Sequence, residues 1–571
     1  GAVKRGLRCA VIISLIVILI TSIQPLTLIE VGSISEYSTS RFVKLKVPAV
    51  YIDEKGVMHG ASTEFLVGIA WPGEGTVYFS AEPLTQIDMQ AASRVAAIIA
   101  SIYAGTSLDY YDFFVRVKSR SEIVGGPSAS AITATAFLAL ITNASILPNV
   151  SMTGMIEPDG TIGPVGGVAE KLEAMAKEGI KVFLIPKGQS VVKVLRRYVE
   201  NKTIGRTVII SERIVPVTVN VTELGAKLGV KVVEVGSIIE AYEYLTGRRL
   251  SLPKYSYEYP EWLREELVKL TKILVEDVKG NLSLITSDVR KKLSSVIDEV
   301  KEHLDKVDEY LKAHKYYSAV SEAFIASVLT SYITSVAKAL SSKNLREALN
   351  VIKNEVRGYV NGSLSLISKC YELFKKLNEL PLTDVRLQLA IAAYVRLREA
   401  NDTIRNIGEY PIYPLSIGED ALYHAVYALW RAKSALNYLT LALRTEVGVR
   451  LNTTLLANGI NTLLHFAMSV RSYLESLGGS TYPLSQLEVS RLVEEGRFIE
   501  ASSAVVEALT RNVALMHAYF KTEEKLAPYA REGARMLAGR AQSLGVTLVL
   551  PALYIERADT VTDPLAKIEL Y

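Results

Sequence analysis

The chain has 571 residues, long enough for two or three domains with cores of their own. Its 64 Lys and Arg nearly balance its 60 Asp and Glu, and the net charge of +4 gives no electrostatic reason to expect a nucleic-acid partner. A hydrophobic content of 49% excludes a globally disordered chain. Gln is scarce and only two Cys are present, and such sparing use of heat-sensitive side chains is typical of thermophile proteins.

Residues 1–30 are predicted to be a signal peptide or an uncleaved membrane anchor. Three basic residues precede an apolar run at 9–20, which continues with weaker hydrophobicity to Ile29. The extended run is about the twenty residues that a membrane-spanning helix needs. Because the basic flank stays in the cytosol, the rest of the chain is expected outside the cell membrane, anchored or secreted. A buried core helix is the alternative.

Asn-x-Ser/Thr sequons are unusually frequent. They take up eight of the 17 Asn, whereas composition predicts about two or three by chance. Because sequons accept glycans only outside the cytosol, the excess agrees with export and predicts an extracellular glycoprotein. The candidate glycosylation sites are Asn143, Asn149, Asn201, Asn220, Asn281, Asn361, Asn401 and Asn452.

Residues 41–248 are predicted to form an α/β domain, because strand and helix patterns alternate along them. Strand-like patterns cover residues 42–45, 64–69, 76–79, 110–117, 152–156, 182–186, 207–210 and 231–235. Helical patterns cover residues 88–104, 129–142, the segment around Lys171, and 238–245.

A Gly-Gly-Pro-Ser turn stands directly before the apolar helix predicted at 129–142. Ser128 therefore lies at a helix N-terminus, where backbone N–H groups and the helix dipole could stabilise an oxyanion. A serine hydroxyl becomes a useful nucleophile only when a base removes its proton. Taken alone, a Pro-Ser-Ala sequence in this position is most often only a helix cap.

Lys171 is the candidate base. On a helical wheel it lies beside the apolar face of Val168, Leu172 and Met175, away from the charged residues of its helix. An amine against apolar surface loses hydration in its charged form, which lowers its pKa. The alternative is a lysine that extends from the edge of an amphipathic helix into water. His59 is the only conventional base in this domain.

Further motifs follow one another in a characteristic order between residues 47 and 247. They are Gly-Pro-Ser-Ala at 126–129, Met-Thr-Gly at 152–154, Gly-Pro-Val-Gly-Gly-Val at 163–168 with Lys171 and Ala174, and Gly-Ile-Lys at 179–181 leading to Ile-Pro-Lys at 185–187. In order and spacing, this run resembles the proteolytic domain of Lon-type peptidases, including their archaeal-type members.

The resemblance implies that Ser128 is the nucleophile and Lys171 the general base of a Ser–Lys dyad, an established variant of the catalytic triad. It also implies that Thr153 helps to hold the lysine amine. Gly126 and Ser130 are supporting candidates, and Ser130 is also the alternative nucleophile. Met155 stands where the family commonly has an acidic residue, a departure that could change the pH optimum.

The sequence predicts neither a metal nor a nucleotide site. Its two cysteines, Cys9 and Cys370, cannot build a zinc site, and Cys9 falls within the predicted leader. Lon enzymes usually carry an ATPase module, but no Gly-x-x-x-x-Gly-Lys-Ser/Thr motif occurs here. We therefore expect hydrolysis of unfolded or flexible proteins and peptides without ATP or any cofactor.

After a linker at 249–260, residues 261–545 are predicted to form an all-α bundle or irregular solenoid. Helical patterns cover residues 263–278, 289–313, 316–340, 345–377, 383–407, 421–443, 453–477, 487–509 and 512–544. Helix breakers interrupt the run at Asn361-Gly362, 410–414 and Gly478-Gly479. His424, His465 and His517 fall on these helices and are expected to pack without a metal.

The C-terminal tail, residues 546–571, contains a strand-like stretch at 547–550 and is otherwise unassigned. The helical part is expected to engage substrates or partners, or to hold a homo-oligomer together.

The favoured function is an exported, membrane-anchored or secreted serine endopeptidase. A non-enzymatic cell-envelope scaffold with a Lon-like fold and a self-processing protease are the alternatives. The presence of both Ser128 and Lys171 favours the enzyme, since a scaffold has no need of the pair.

Overall fold

The computed structural model describes residues 37–82, 87–119, 126–204, 207–252, 256–409 and 420–571. The predicted leader at 1–30 and the predicted breaker at 410–414 lie outside this part of the chain. The described residues form an α/β region followed by a large all-α region, which confirms the predicted fold class.

A mixed four-stranded sheet opens the α/β region. Strand order is β1-β2-β4-β3, with β1–β2 and β2–β4 antiparallel and β3–β4 parallel. The parallel pair requires a crossover, which helix α1 supplies. The elements are β1 Thr39–Ile52, β2 Met58–Trp71, β3 Val77–Glu82, α1 Ile87–Ala104 and β4 Asp112–Lys118.

A second, parallel sheet of order β11-β8-β5 forms the remainder of the α/β core. Its strands are β5 Val150–Met152, β8 Val182–Pro186 and β11 Lys231–Val235. The predicted strand at 152–156 is divided, because the chain turns at Thr153 and Gly154 into the hairpin of β6 Met155–Ile156 and β7 Ile162–Gly163. The helices here are α2 Ser130–Ile141, α3 Val168–Lys177, α4 Val221–Lys227 and α5 Ile238–Thr246.

A long antiparallel ribbon pairs β9 Val191–Ile204 with β10 Thr207–Asn220. The sequence predicted only residues 207–210 of this ribbon. Strand β9 was missed because Lys193, Arg196 and Arg197 interrupt its apolar pattern. The ribbon accommodates these charges because much of its surface faces water. Even its apolar residues Val191 and Leu195 are exposed.

The all-α region contains helices that pack as an irregular bundle, with close pairs such as α11 with α12 and α6 with α9. In chain order, its helices are α6 Glu261–Ser283, α7 Ser287–Lys292, α8 Ser294–Lys312, α9 Tyr316–Leu340, α10 Leu345–Asn378, α11 Asp384–Asn406, α12 Ala421–Arg444, α13 Thr453–Ser476, α14 Gln486–Glu494, α15 Phe498–Phe520, α16 Glu523–Ser543, α17 Leu550–Ala558 and α18 Pro564–Leu570.

Several predicted helix boundaries were wrong. Helix α10 continues through Asn361-Gly362, where a Cβ on Gly362 would lie 3.2 Å from the Leu429 side chain, so this glycine serves close packing against α12. The helix predicted at 487–509 is broken at 495–497, between α14 and α15. Residues 509–512 lie inside α15, which ends at Phe520, before Lys521 with a φ of +57°. The predicted break at Gly478-Gly479 is confirmed, because α13 ends at Ser476.

The strand predicted at 547–550 was also wrong. Thr547 donates its backbone N–H to Asp384 Oδ2 over 2.7 Å, and Val549 donates to Gln388 Oε1 over 2.8 Å. These side chains of α11 replace a neighbouring strand as hydrogen-bond acceptors. The buried tail then continues into α17 and α18.

The hydrophobic core is continuous from the α/β region into the helices, since buried apolar residues of both contact one another in one cluster. Within the described residues, helix α9 is long and apolar enough to cross a membrane, but 61% of its most apolar stretch is buried inside the protein. A core helix of a water-soluble protein meets the same criteria.

Candidate active site

Ser128 lies in a 3-10 turn, Pro127–Ala129, that leads directly into α2. It is half-buried between two buried neighbours. The turn is fixed to the chain after β5, because the Ser128 carbonyl accepts the Gly154 N–H over 3.0 Å and Ala131 donates to the Gly154 carbonyl over 3.2 Å. Two backbone hydrogen bonds therefore hold Ser128 beside Thr153.

The Lys171 side chain is almost completely enclosed, with 1% of its surface exposed. Its Nζ donates to Thr153 Oγ1 over 3.1 Å, and Thr153 Oγ1 in turn donates to the Ser128 carbonyl over 3.4 Å. Thr153 is itself fully buried. One threonine hydroxyl thus connects the helix that carries the lysine with the turn that carries the serine.

Burial lowers the pKa of Lys171 to about 7, and the nearby carboxylate of Glu170 opposes this shift only partly. An amine with this pKa is neutral in a large fraction of molecules at neutral pH. It can therefore accept a proton, which a solvated lysine with its usual pKa cannot do. The burial inferred from the helical wheel is confirmed.

The loop between β7 and α3 sets the position of Lys171. Gly167 adopts a φ of +69°, a conformation that favours glycine, and its carbonyl accepts the Lys171 N–H over 2.9 Å. Upstream, the amide of buried Gln189 pairs with both backbone groups of Val165, at 2.9 and 2.8 Å. Sequence reasoning missed Gln189, although it closely follows the Ile-Pro-Lys motif and glutamine is scarce in this chain.

Ser130 has a structural environment different from that of Ser128. Its hydroxyl donates to the Pro127 carbonyl over 2.6 Å and accepts the Ile156 N–H over 2.9 Å. Only 4% of the residue is exposed. Ser130 therefore ties the serine turn to the β6–β7 hairpin, and its hydroxyl is engaged on both sides.

Gly126 lies close to Tyr473, a residue of the helical region. A Cβ at this position would lie 3.1 Å from the ring of Tyr473, which extends from α13. The hydroxyl of the same tyrosine accepts the Gly166 N–H over 2.8 Å. No local pattern could reveal Tyr473, because 307 residues separate it from Gly166.

The remaining candidates lie in other contacts. His59 bonds Asp53 over 2.8 Å and stacks on Tyr51 within the β1–β2 hairpin. His517 is buried and bonds Glu157 over 2.8 Å, so it joins the two regions. Among the residues that the structure describes, no group of three or more His, Cys, Asp or Glu side chains is placed to hold a metal ion.

The sequons occupy several kinds of position. Asn143 and Asn149 are exposed near β5, whereas Asn220 and Asn452 cap α4 and α13 by accepting backbone N–H groups. Capping gives the Asn at these helix starts a structural role that needs no glycan. Asn281, Asn361 and Asn401 lie within helices, and Asn201 lies on β9 with its side chain outside the described part.

Comparison with known proteins identifies the region around these residues. Residues 88–209 match the family model of the Lon protease (S16) C-terminal proteolytic domain. An archaeal Lon protease of Thermococcus kodakarensis is 38% identical over 104 residues, which cover 18% of this chain and 16% of that protein. A Lon protease of Methanosarcina barkeri is 31% identical over 148 residues, covering 25% of this chain and 18% of that protein.

An archaeal Lon protease of Halobacterium salinarum is 30% identical over 159 residues, covering 28% of this chain and 22% of that protein. The chain thus spans less than a quarter of the length of each of these three relatives. The matched segment contains Ser128, Thr153 and Lys171. The resemblance seen in the sequence is confirmed for residues 88–209, which match the Lon-type proteolytic domain.

Proposed function

We propose that the chain is a serine endopeptidase in which Ser128 is the nucleophile and Lys171 the general base. The Lon-type domain supports peptidase activity in general. The observation that carries the residue assignment is the enclosed Lys171 amine, whose pKa is lowered to about 7 and whose hydrogen-bond partner Thr153 also bonds the carbonyl of Ser128.

In the proposed reaction, neutral Lys171 removes the Ser128 hydroxyl proton while the serine oxygen attacks the carbonyl carbon of the scissile peptide bond. The negative charge that develops on the carbonyl oxygen lies near the start of α2, where the helix dipole is favourable. The protonated amine then donates to the leaving nitrogen. A water molecule, deprotonated by Lys171, hydrolyses the acyl-serine and restores both side chains.

We propose unfolded or flexible proteins and peptides as substrates, cleaved without ATP. The support is that the sequence contains no phosphate-binding motif of the common ATPase type. We also place the catalytic region outside the cell membrane, on the strength of the predicted leader and the sequon excess. The helical region is proposed to engage substrates or to hold copies of the chain together.

The central experiment measures cleavage of a denatured protein by the full chain without ATP. We expect Ser128→Ala and Lys171→Ala to lose activity, and Ser128→Ala to lose covalent labelling by a fluorophosphonate. Lys177→Ala is the matched control, because Lys177 is an exposed lysine on the same helix.

Equal turnover by wild type, Ser128→Ala and Lys171→Ala would contradict the proposal and favour the scaffold. Ser130→Ala tests the alternative nucleophile, since labelling that depends on Ser130 would transfer the role to it. Self-processing would appear as a loss of chain mass that is absent from Ser128→Ala.

A further inference from the structure

The end of helix α13 contacts both loops of the candidate site. Tyr473 is buried, with 8% of its surface exposed, and its Oη accepts the Gly166 N–H over 2.8 Å. Its ring lies over Gly126, where a Cβ would come within 3.1 Å of the ring. One turn later, Leu477 approaches Gly166, where a Cβ would lie 2.9 Å from the leucine side chain. A Cβ at Gly126 or Gly166 would crowd Tyr473 or Leu477, so a larger residue at either position would require these side chains to shift.

These two glycines stand directly upstream of the proposed catalytic residues. Gly126 comes immediately before the turn that contains Ser128. Gly166 precedes Gly167, whose carbonyl accepts the Lys171 N–H over 2.9 Å. A shift of either loop would therefore change the position of a reacting side chain, and both loops rest on the same tyrosine.

The chemistry of Tyr473 suits a permanent contact. Burial raises the pKa of its hydroxyl to about 12, so the hydroxyl stays neutral throughout the pH range in which the enzyme would work. The hydroxyl gives the N–H of half-buried Gly166 an acceptor, and loss of that hydrogen bond is unfavourable. Removal of this one oxygen is therefore expected to move the loop rather than leave it in place.

The helix that carries Tyr473 belongs to a larger contact between the two regions. His517 of α15 bonds Glu157 of the β6–β7 hairpin over 2.8 Å. Tyr529 of α16 donates to Glu240 of α5 over 3.0 Å. Since three helices, α13, α15 and α16, contact the α/β region, the end of α13 is a fixed support for the loops.

We propose that Tyr473 is a positioning residue for the Ser128–Lys171 pair, so that the helical region completes the protease site within the same chain. This inference rests on the proposed function. In this proposal Tyr473 acts through the backbone at Gly126 and Gly166. It keeps the Lys171 loop closed, which excludes water from the amine and keeps the lysine pKa low.

The test uses the full chain with Tyr473→Phe, which keeps the ring and removes only the acceptor oxygen. We expect kcat to fall about 10-fold with KM within about twofold, because misplaced catalytic groups slow the reaction step. We also expect the acid limb of the kcat profile to move to higher pH, because a looser loop hydrates Lys171 and raises its pKa. Tyr473→Ala should lower kcat by about 100-fold.

Tyr332→Phe is the matched control. This tyrosine is equally buried, and its hydroxyl bonds Asp420 inside the helical region. Its removal should lower the melting temperature without moving the pH profile. An unchanged kcat and pH profile in Tyr473→Phe would overturn the inference. It would also be overturned if the loss of kcat in Tyr473→Phe and in Tyr332→Phe were simply in proportion to the fall in melting temperature.

The two proposals fail in different ways. If Ser128→Ala is as active as wild type, the proposed function is wrong. If Ser128→Ala is inactive while Tyr473→Phe matches wild type in kcat and pH profile, only the positioning role is wrong.

Discussion

The two regions of the molecule differ in the partner that they give to a buried basic side chain. In the helical region, Arg557 bonds Glu322 over 2.8 Å, with 5% and 7% of the two side chains exposed. In the α/β region, the described partner of the Lys171 amine is a hydroxyl, that of Thr153. A carboxylate partner offsets a buried positive charge, whereas a hydroxyl partner leaves burial to lower the pKa of the Lys171 amine. The difference separates a charge that stabilises the bundle from an amine suited to proton transfer.

Lys171→Met should show the largest effect on activity. We expect kcat/KM to fall by about 1,000-fold or more, because the only proposed base is lost. We expect the melting temperature to stay the same or rise, since an apolar side chain of similar size replaces a poorly hydrated amine. Activity assays and thermal unfolding check both points, with exposed Lys177→Met as control. A large loss of stability would mean that Lys171 has a structural role like that of Arg557.

Arg557→Met should have the opposite outcome. It leaves Glu322 buried without this partner, and breaking such a pair costs about 3–5 kcal/mol of stability. Chemical denaturation measures the loss, and kcat of the folded fraction should stay near that of wild type. The double variant with Glu322→Gln should recover part of the stability. If the single variant is as stable as wild type, the contrast between the regions does not hold.

Thr153→Val removes the hydroxyl that bonds the amine while keeping the shape of the side chain. We expect kcat to fall about 10- to 100-fold, because the lysine loses its orientation, while KM changes little. Thr135→Val is the matched control, since Thr135 is also fully buried but bonds only within α2. Equal kcat in the two variants would exclude a positioning role for Thr153.

The pH dependence should follow Lys171. Below its pKa of about 7 the amine is protonated and cannot act as a base, so kcat/KM should fall about tenfold per pH unit. The folded-state pKa lies below the ordinary value of 10.5, so between these values the unfolded chain binds more protons and stability rises with pH. Unfolding titrations should show this rise in wild type and lack it in Lys171→Met. An acid limb far from pH 7 would point to another base.

Local patterns singled out Ser128, at a glycine-rich turn before a helix, and Lys171, beside the apolar face of an amphipathic helix. Thr153 came only from the family resemblance, because no local pattern marks it. Gln189 and Tyr473 were missed for different reasons. Gln189 pairs with backbone groups, which leave no mark in a sequence, and Tyr473 acts across 307 residues.

The fold shows the same contrast between features that local sequence predicts and features that distant contacts determine. The helix at Tyr316–Leu340 was predicted to the residue because its apolar pattern is uninterrupted. The errors occurred where tertiary contacts outweigh local preference. Gly362 stays helical because Leu429 packs on it, and residues 547–549 stay irregular because side chains of α11 supply their hydrogen bonds.

The uninterrupted apolar interior that joins the two regions has a consequence for how the chain can be divided. A fragment that ended near residue 248 would present to water the surfaces on which Tyr473, His517 and Tyr529 now pack. These newly exposed surfaces would lie beside the backbone of Gly126 and Gly166. The unit to express therefore includes both regions.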